Sequence, residues 1–353
     1  MSQPQCGESS NRLMSGYTEL HLHTCYSFLE GASSTDELVR TAVALGYTAL
    51  AITDHDGLHG AMEFAQACAA AGLQPITGAE LTLRHGLHDA DSGPVHLTLL
   101  AESAQGYANL CRLITESHRS SPKEAIALAP AFLEGHTEGV IALSGCRSGE
   151  VSRLIEAGRD ADALEAARCL AARFGDANTY IELQHNLVLG DTQRVERLAA
   201  RAAQLGLSVV ATGNVHYHER SRHQLQDALV ALKHHSTLEG SHQDRRPNSE
   251  FFLRSQEDMA RRFAAYPEAV ANTAVIAGRC RGFNLAERGA IGYDFPDFGR
   301  KPGEEDSPAD EVLARHCRVR FAERYPREMT TEALREKAEA QLEEELRLVA
   351  KHK

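Results

Sequence analysis

The sequence contains no tryptophan, no pair of cysteines at CxxC spacing, and no apolar run near the roughly 20 residues that a membrane-spanning helix needs. Its eight cysteines are scattered singly, which is typical of reduced thiols and argues against a disulfide framework or a zinc finger. No P-loop and no dinucleotide-binding glycine pattern occurs either. These absences predict a soluble, cytoplasmic protein with no membrane partner and no nucleotide-binding motif.

The chain also lacks a basic excess. It carries 37 Lys and Arg against 49 Asp and Glu, which gives a formal net charge of −12 at pH 7. Free-standing nucleic-acid binders usually carry the opposite sign, so contact with DNA should occur in a local pocket or beside a basic partner domain. Residues 1–16 are polar and lack the apolar core of a signal peptide, and they are expected to form a disordered tail.

Short apolar runs alternate with segments of helical periodicity between residues 17 and 216. Runs of this length and composition are typical of buried parallel strands. About seven βα units in succession favour a closed barrel over an open sheet. The candidate strands are residues 17–23, 49–53, 74–80, 95–101, 139–144, 180–184 and 208–214.

Histidine is abundant, with 18 copies, and several of them lie at the ends of these candidate strands. His21 and His23 alternate along the first strand, so their imidazoles face the same side. The strands' carboxyl ends would meet at one mouth of a barrel. A cluster of imidazoles and carboxylates there would be costly unless divalent cations compensated it. The groups expected at this mouth are His21, His23, Glu30, His55, Glu80, His96, Cys146, Asn214 and His216.

Five motifs resemble, in residues and in order, those of the polymerase and histidinol phosphatase (PHP) family. They are His21-Leu22-His23, residues 53–57, Gly78-Ala79-Glu80, Ser144-Gly145-Cys146 and Asn214-Val215-His216. More narrowly, residues 19–33 and 49–56 are similar to the start of a bacterial C-family DNA polymerase of the DNA polymerase III alpha type. Residues 252–273 resemble the helices that link such a barrel to the polymerase core. Residues 211–217 and the long tail favour the error-prone, ImuC-like branch.

The resemblance implies an α/β fold, a distorted (β/α)7 PHP barrel with a C-terminal helical extension. The barrel is expected over residues 17–245, a helical linker region over 246–292, and a linker with the start of a truncated polymerase core over 293–353. Nothing in residues 251–353 resembles a nucleotide-binding site, and the carboxylates that hold magnesium in a polymerase palm are expected to lie well beyond residue 353. DNA synthesis by this chain alone is therefore not expected.

The resemblance also implies up to three divalent metal ions. The first would be held by His21, His23, Glu80 and Asn214; the second by Glu80, His96 and Cys146; the third by Glu30, His55 and His216. Imidazoles with one thiolate favour zinc, manganese or iron. Glu30 stands where Asp or His is more usual, and Asn214 stands where Asp is common, although a neutral amide is the poorer ligand.

Three further residues are candidates for supporting roles around the expected metals. Asp54 and Asp56 could orient His55 or a water molecule, although a helix cap or a surface turn explains both aspartates equally well. His218 lies close enough in sequence to the last motif to act in the same way.

Metal-dependent phosphoester hydrolysis is the implied activity, in the form of proofreading 3′–5′ exonuclease action on a DNA 3′ end. The implied partners are the remaining polymerase modules or other replication and repair proteins. A non-catalytic, metal-stabilised scaffold of a split or truncated polymerase is one alternative. A small-molecule phosphatase is another, and the polymerase-like residues 252–273 argue against it.

Overall fold

The computed structural model of the chain describes residues 16–123, 125–287, 289–290 and 307–351. Two units divide the chain, Met1–Ile291 and Gly292–Lys353. Residues 1–15 of the expected tail and residues 291–306 of the expected linker lie outside the described residues. Within the described ranges, no helix is both long and apolar enough to cross a membrane.

A curled sheet of six strands, hydrogen-bonded to one another in chain order, forms the centre of the first unit. Most positions along these strands are buried, as expected for apolar runs covered on both faces. The strands are β1 (Ala49–Ile52), β2 (Gln74–Leu83), β3 (Val95–Ala101), β4 (Val140–Leu143), β5 (Thr179–Gln184) and β6 (Ser208–Thr212).

The segment that precedes β1 closes this sheet. Glu19 pairs with Leu50 of β1, and Leu22 pairs with Val215 just beyond β6, both in the parallel sense. The amide N of Val215 also donates to the carbonyl of His21 at 2.9 Å. Residues 19–22 therefore occupy a seventh strand position, and the expected α/β barrel is confirmed.

β3 runs antiparallel to both of its neighbours, β2 and β4. The expectation of parallel strands throughout is therefore wrong at this position. Residues 84–94 connect β2 to β3 without a helix, whereas a parallel crossover needs about a dozen or more residues and usually a helix. Because of this reversal, the amino end of β3, where His96 lies, reaches the same mouth as the carboxyl ends of the other strands.

Helices connect most of the strands and cover the outside of the barrel. Ser34 caps the first helix. Its side chain accepts from the Glu37 amide, and the Glu37 carboxylate accepts from the Ser34 amide, which is a capping box. The helices of this unit are α1 (Thr35–Ala44), α2 (Ala61–Ala70), α3 (Ala104–Arg119), α4 (Glu150–Glu156), α5 (Asp160–Phe174), α6 (Asp191–Leu205), α7 (His223–Lys233), α8 (Gln256–Arg262) and α9 (Pro267–Arg279).

Helix α9 closes the barrel at the end opposite the metal-ligand motifs. The Asn272 side chain donates to the carbonyl of Val209 at 2.8 Å, near the amino end of β6. Ile276 is fully buried in an apolar cluster with barrel residues such as Leu20 and Val210. The helix that follows the barrel in sequence is thus part of its core.

Ile276→Val is expected to lower the free energy of unfolding by about 1 kcal/mol, because it removes one buried methylene from this cluster. Urea unfolding followed by circular dichroism measures this change. The matched control is Val275→Ala on the same helix, where the side chain is 43% exposed. This control removes more carbon yet should cost less than about 0.5 kcal/mol. Equal losses would show that α9 does not pack as described.

The second unit contains α10 (Ala309–Arg324) and α11 (Glu332–Lys351). An ion pair joins the two helices, with Arg318 Nε 3.1 Å from Glu343 Oε1. The Arg335 guanidinium lies over the Phe321 ring at 5.4 Å. The described part of this unit is therefore a pair of contacting helices, in agreement with the helical pattern of its sequence.

Candidate metal centre

All nine predicted metal-binding residues lie at one mouth of the barrel. The glutamate at the end of the third expected strand, Glu80 in β2, is at the centre and is 1% exposed. Nitrogen atoms of four histidines surround its carboxylate: His21 Nε2 at 3.3 Å, His23 Nε2 at 3.6 Å, His55 Nε2 at 3.2 Å and His96 Nδ1 at 3.3 Å. Such convergence of residues from four segments is what the strand-end pattern predicted.

The charges at this centre are strongly coupled. Burial alone would raise the pKa of Glu80, but the facing imidazoles of His96 and His55 outweigh burial and hold that pKa well below its usual range. Burial together with the neighbouring imidazoles holds the pKa of His23 well below its ordinary value. The pKa of His216 is also held well below its ordinary value, by burial first and the Arg246 charge second. Burial and the neighbouring positive charges thus favour the neutral form of His23 and His216, which is the form that binds metals.

Several polar atoms at the centre are buried without a hydrogen-bond partner. They are His21 Nε2, His23 Nε2, Glu80 Oε1 and Asn214 Oδ1. Buried polar atoms normally have partners, so a group of four around one point needs an explanation. Three sets of side chains also place their donor atoms within 4.8 Å of one another: His21, His23 and Glu80; His55, Glu80 and His96; His23, His55 and His216. These residues fit divalent metal ions.

Glu182 in β5 contacts the nitrogen of His21 that does not face Glu80. The sequence analysis did not predict this contact. Glu182 Oε1 lies 2.7 Å from His21 Nδ1, and the Gln184 side chain donates to the same oxygen at 2.7 Å. A carboxylate on one imidazole nitrogen orients the other nitrogen toward a metal. The available signal was the alternation of Glu182 and Gln184 along candidate strand 180–184, which points both side chains inward.

Glu182→Gln is expected to weaken metal binding about tenfold, because the amide loses the charge that orients and polarises His21. Competition with a chromophoric chelator measures this affinity. The double variant Glu182→Gln, Gln184→Glu is a useful companion, since it moves the carboxylate to the next inward-facing position of β5. An unchanged affinity in Glu182→Gln would remove Glu182 from any role toward the metal.

His96 and Cys146 form a second edge of the centre. Cys146 Sγ lies 3.4 Å from His96 Nδ1. Gly145 makes this contact possible, because its φ is +87° and a Cβ there would lie 2.4 Å from the His96 carbonyl oxygen. The Ser-Gly-Cys turn is therefore shaped to bring the thiol against β3.

Glu30, His55 and His216 form the third edge. Glu30 Oε2 lies 2.9 Å from His55 Nε2. Two cations missed by the sequence analysis also enter here: Lys233 donates to Glu30, and Arg246 donates to His216 Nε2. Both cations come from residues 233–246, which follow the last of the five family motifs in the sequence.

Of the three residues predicted to support the metals, Asp54 has a clear connection to a ligand position. Its Oδ1 accepts from Ser27 Oγ at 2.7 Å, and Ser27 Oγ lies 3.1 Å from His23 Nδ1. Asp56 accepts from the Thr82 amide at 2.8 Å and so anchors the turn after His55. His218 contacts Ser33 Oγ at 2.7 Å. Within the described residues, His218 has no hydrogen bond or ion pair to any of the nine.

The centre opens into a cavity of about 430 Å³. Small-molecule sites commonly have volumes of roughly 300–1,000 Å³. Six of the nine predicted metal-binding residues line this cavity, and so do five basic residues, despite the acidic charge of the whole chain. The basic residues are Arg147, Arg194, Lys233, Arg245 and Arg246. The carboxylates of Asp191 and Asp244 line the same cavity, which thus combines metal-binding groups with side chains of both charges.

Comparison with known proteins gives matches to one family and its relatives. Residues 19–186 match the model of the PHP domain. The chain is 41% identical over 281 residues to the error-prone DNA polymerase of Symbiobacterium thermophilum, covering 75% of this chain and 25% of that protein. It is 36% identical over 270 residues to the DNA polymerase III subunit alpha of Treponema pallidum, covering 75% of this chain and 23% of that protein.

A solved structure is also similar. It is a two-domain protein from Bacteroides vulgatus that contains a predicted PHP-like metal-dependent phosphoesterase, at 11% identity and a TM-score of 0.35, covering 72% of this chain and 63% of that one. The chain spans about a quarter of the length of the two polymerases.

Proposed function

Because this chain contains a PHP domain homologous to those of bacterial error-prone and replicative DNA polymerases, we propose that it is a metal-dependent phosphoester hydrolase that removes nucleotides from a DNA 3′ end. The observation that carries the proposal is the ring of four imidazoles around the Glu80 carboxylate, with buried nitrogen atoms that have no hydrogen-bond partner. The remaining polymerase modules are the proposed partners.

We assign the metals to the three sets that the family resemblance implies; binding at the third set requires Arg246 and Lys233 to release His216 and Glu30. The first set is His21, His23, Glu80 and Asn214; the second is Glu80, His96 and Cys146; the third is Glu30, His55 and His216. Zinc, manganese or iron suits this mixture of imidazoles with a thiolate. Bound divalent cations would polarise phosphoryl oxygens and lower the pKa of a water molecule.

The chain's own residues prepare the site for that chemistry. Glu182 fixes the orientation of His21, and Asp54 acts on His23 through Ser27. A phosphodiester, which bears a negative charge, would enter a cavity lined by both basic and acidic side chains.

Cleavage of a 3′-mismatched primer–template in the presence of Mn²⁺ or Zn²⁺ tests the proposal. The wild type should release nucleotides from the 3′ end, and the double variant His21→Ala, His23→Ala should release none. The matched control is His85→Ala, His88→Ala, which removes two histidines from the loop between β2 and β3, outside the metal sets.

Three results would contradict the proposal. Metal binding without hydrolysis by the wild type would favour a scaffold role within a larger polymerase. Hydrolysis of p-nitrophenyl phosphate with no action on DNA would favour a small-molecule phosphatase. Equal hydrolysis by the wild type and the His21, His23 double variant would show that a contaminating nuclease is responsible.

A further inference from the structure

Arg246 differs from the other basic residues that line the cavity. Four of them have carboxylate partners: Arg147 pairs with Glu156, Arg194 with Asp191, Lys233 with Glu30, and Arg245 with Asp227. Among the residues that the structure describes, no carboxylate lies within ion-pair distance of Arg246. Its charge is therefore the one in the cavity wall that an incoming anion could neutralise without breaking an existing ion pair.

The guanidinium of Arg246 is held in a defined position. It lies over the Phe251 ring, with its central carbon 4.6 Å from the ring centroid. The Phe251 carbonyl in turn accepts from the His216 amide at 2.8 Å, which ties the ring to the strand end that carries the metal-binding motif. Residues 246–251 thus return to the mouth of the barrel and place this cation beside the centre.

Most of the donors of Arg246 are unused. A guanidinium has five N–H donors in a planar fork. One of them contacts His216 Nε2, which can accept because His216 Nδ1 faces the Asn214 carbonyl oxygen at 2.9 Å and carries the ring proton. Arg246 Nε is inaccessible to solvent and has no hydrogen-bond partner, a state that Arg245 Nε shares, but Arg245 has a carboxylate partner and Arg246 has none among the described residues. Leaving such a donor unpaired is unfavourable, so its position points to a ligand that accepts hydrogen bonds.

We infer that Arg246 is a phosphate-binding residue of the cavity and donates to non-bridging oxygens of a phosphoryl group. The planar fork matches two phosphate oxygens at once, which a lysine ammonium cannot do. The inference rests on the proposed function in that this phosphoryl group belongs to the substrate. It also explains how a chain with a net charge of −12 attracts an anion to one point of its surface.

Isothermal titration of inorganic phosphate into the full chain, loaded with Mn²⁺ and freed of excess metal, tests this inference. Arg246→Met should weaken phosphate binding by about 10- to 100-fold, since it removes charge-assisted hydrogen bonds but keeps the packing on Phe251. Arg246→Lys should recover only part of the loss. The matched control is Arg147→Met, because Arg147 lines the same cavity and its Nε is paired with Glu156 at 2.7 Å; its phosphate affinity should stay within about twofold of the wild type.

The metal content of each variant, measured by mass spectrometry, separates the possible results. Unchanged phosphate affinity in Arg246→Met overturns the inference. If that variant also gains a metal ion, Arg246 acts as a resident counter-charge for His216 and does not bind phosphate. Phosphate binding that depends on Arg246, in a chain that does not cleave DNA, would support this inference while contradicting the proposed exonuclease activity.

Discussion

Glu80→Gln is expected to remove metal from the centre and to lower phosphoester hydrolysis roughly 1,000-fold. The carboxylate of Glu80 is 1% exposed and faces nitrogen atoms of four histidines at 3.2–3.6 Å. It belongs to two of the three sets of side chains whose metal-binding atoms lie within 4.8 Å of one another. An amide of the same shape keeps the packing but removes the charge that would attract divalent cations.

Metal content by mass spectrometry and nucleotide release from the mismatched primer–template measure this effect. The matched control is Glu102→Gln, because Glu102 pairs with Arg279 of α9 at 2.8 Å, at the opposite end of the barrel. This control should keep both metal and activity. A Glu80→Gln variant that holds its full metal content and hydrolyses at the wild-type rate would exclude Glu80 as a ligand and would contradict the proposed centre.

Asn214→Asp should tighten metal binding by about 100-fold, and by no less than about tenfold. Asn214 is 4% exposed, and its Oδ1 is buried without a hydrogen-bond partner. Its φ of +48° lies in the left-handed region, which Asp also tolerates better than most residues. Replacing the neutral amide with a carboxylate therefore adds a charge toward the metal position without demanding a new backbone conformation.

The same variant should lower thermal stability in the absence of metal and raise it in the presence of metal. Without metal, an additional buried carboxylate lowers the melting temperature. With metal, the tighter binding raises it, because a ligand that binds only the folded state stabilises that state. Thermal unfolding with EDTA and with Mn²⁺ measures both effects. In the matched control Asn272→Asp, on α9, stability should fall in both states, because the Asn272 amide donates to Val209. A fall in both states for Asn214→Asp would show that this residue does not face a metal.

Much of the fold could be predicted from local sequence. The short apolar runs at residues 49–53, 95–101 and 139–144 became β1, β3 and β4 with ends within a residue of those expected. Buried strands leave a strong local signal because nearly every side chain in them is apolar. The direction of β3 left no such signal, since a reversed strand has the same composition as a parallel one.

The candidate centre, like the fold, could be predicted only in part from the sequence. Histidines and carboxylates at alternate positions of strand ends were visible because a strand alternates its side chains and a barrel gathers its strand ends. Glu182 was overlooked because a single glutamate in an apolar strand has no distinctive spacing. Lys233 and Arg246 were overlooked because basic residues in polar segments are usually solvated.

The sequence by itself determined the types of the metal-binding groups, the barrel rhythm and the family resemblance, because these depend on the identity and spacing of neighbouring residues. Only the tertiary structure decided that His96 reaches the centre from a reversed strand. It also decided that Glu182 orients His21 across 161 positions of the chain and that Arg246 faces His216. Contacts between residues so distant in sequence depend on how the whole barrel packs, and no local pattern specifies that packing.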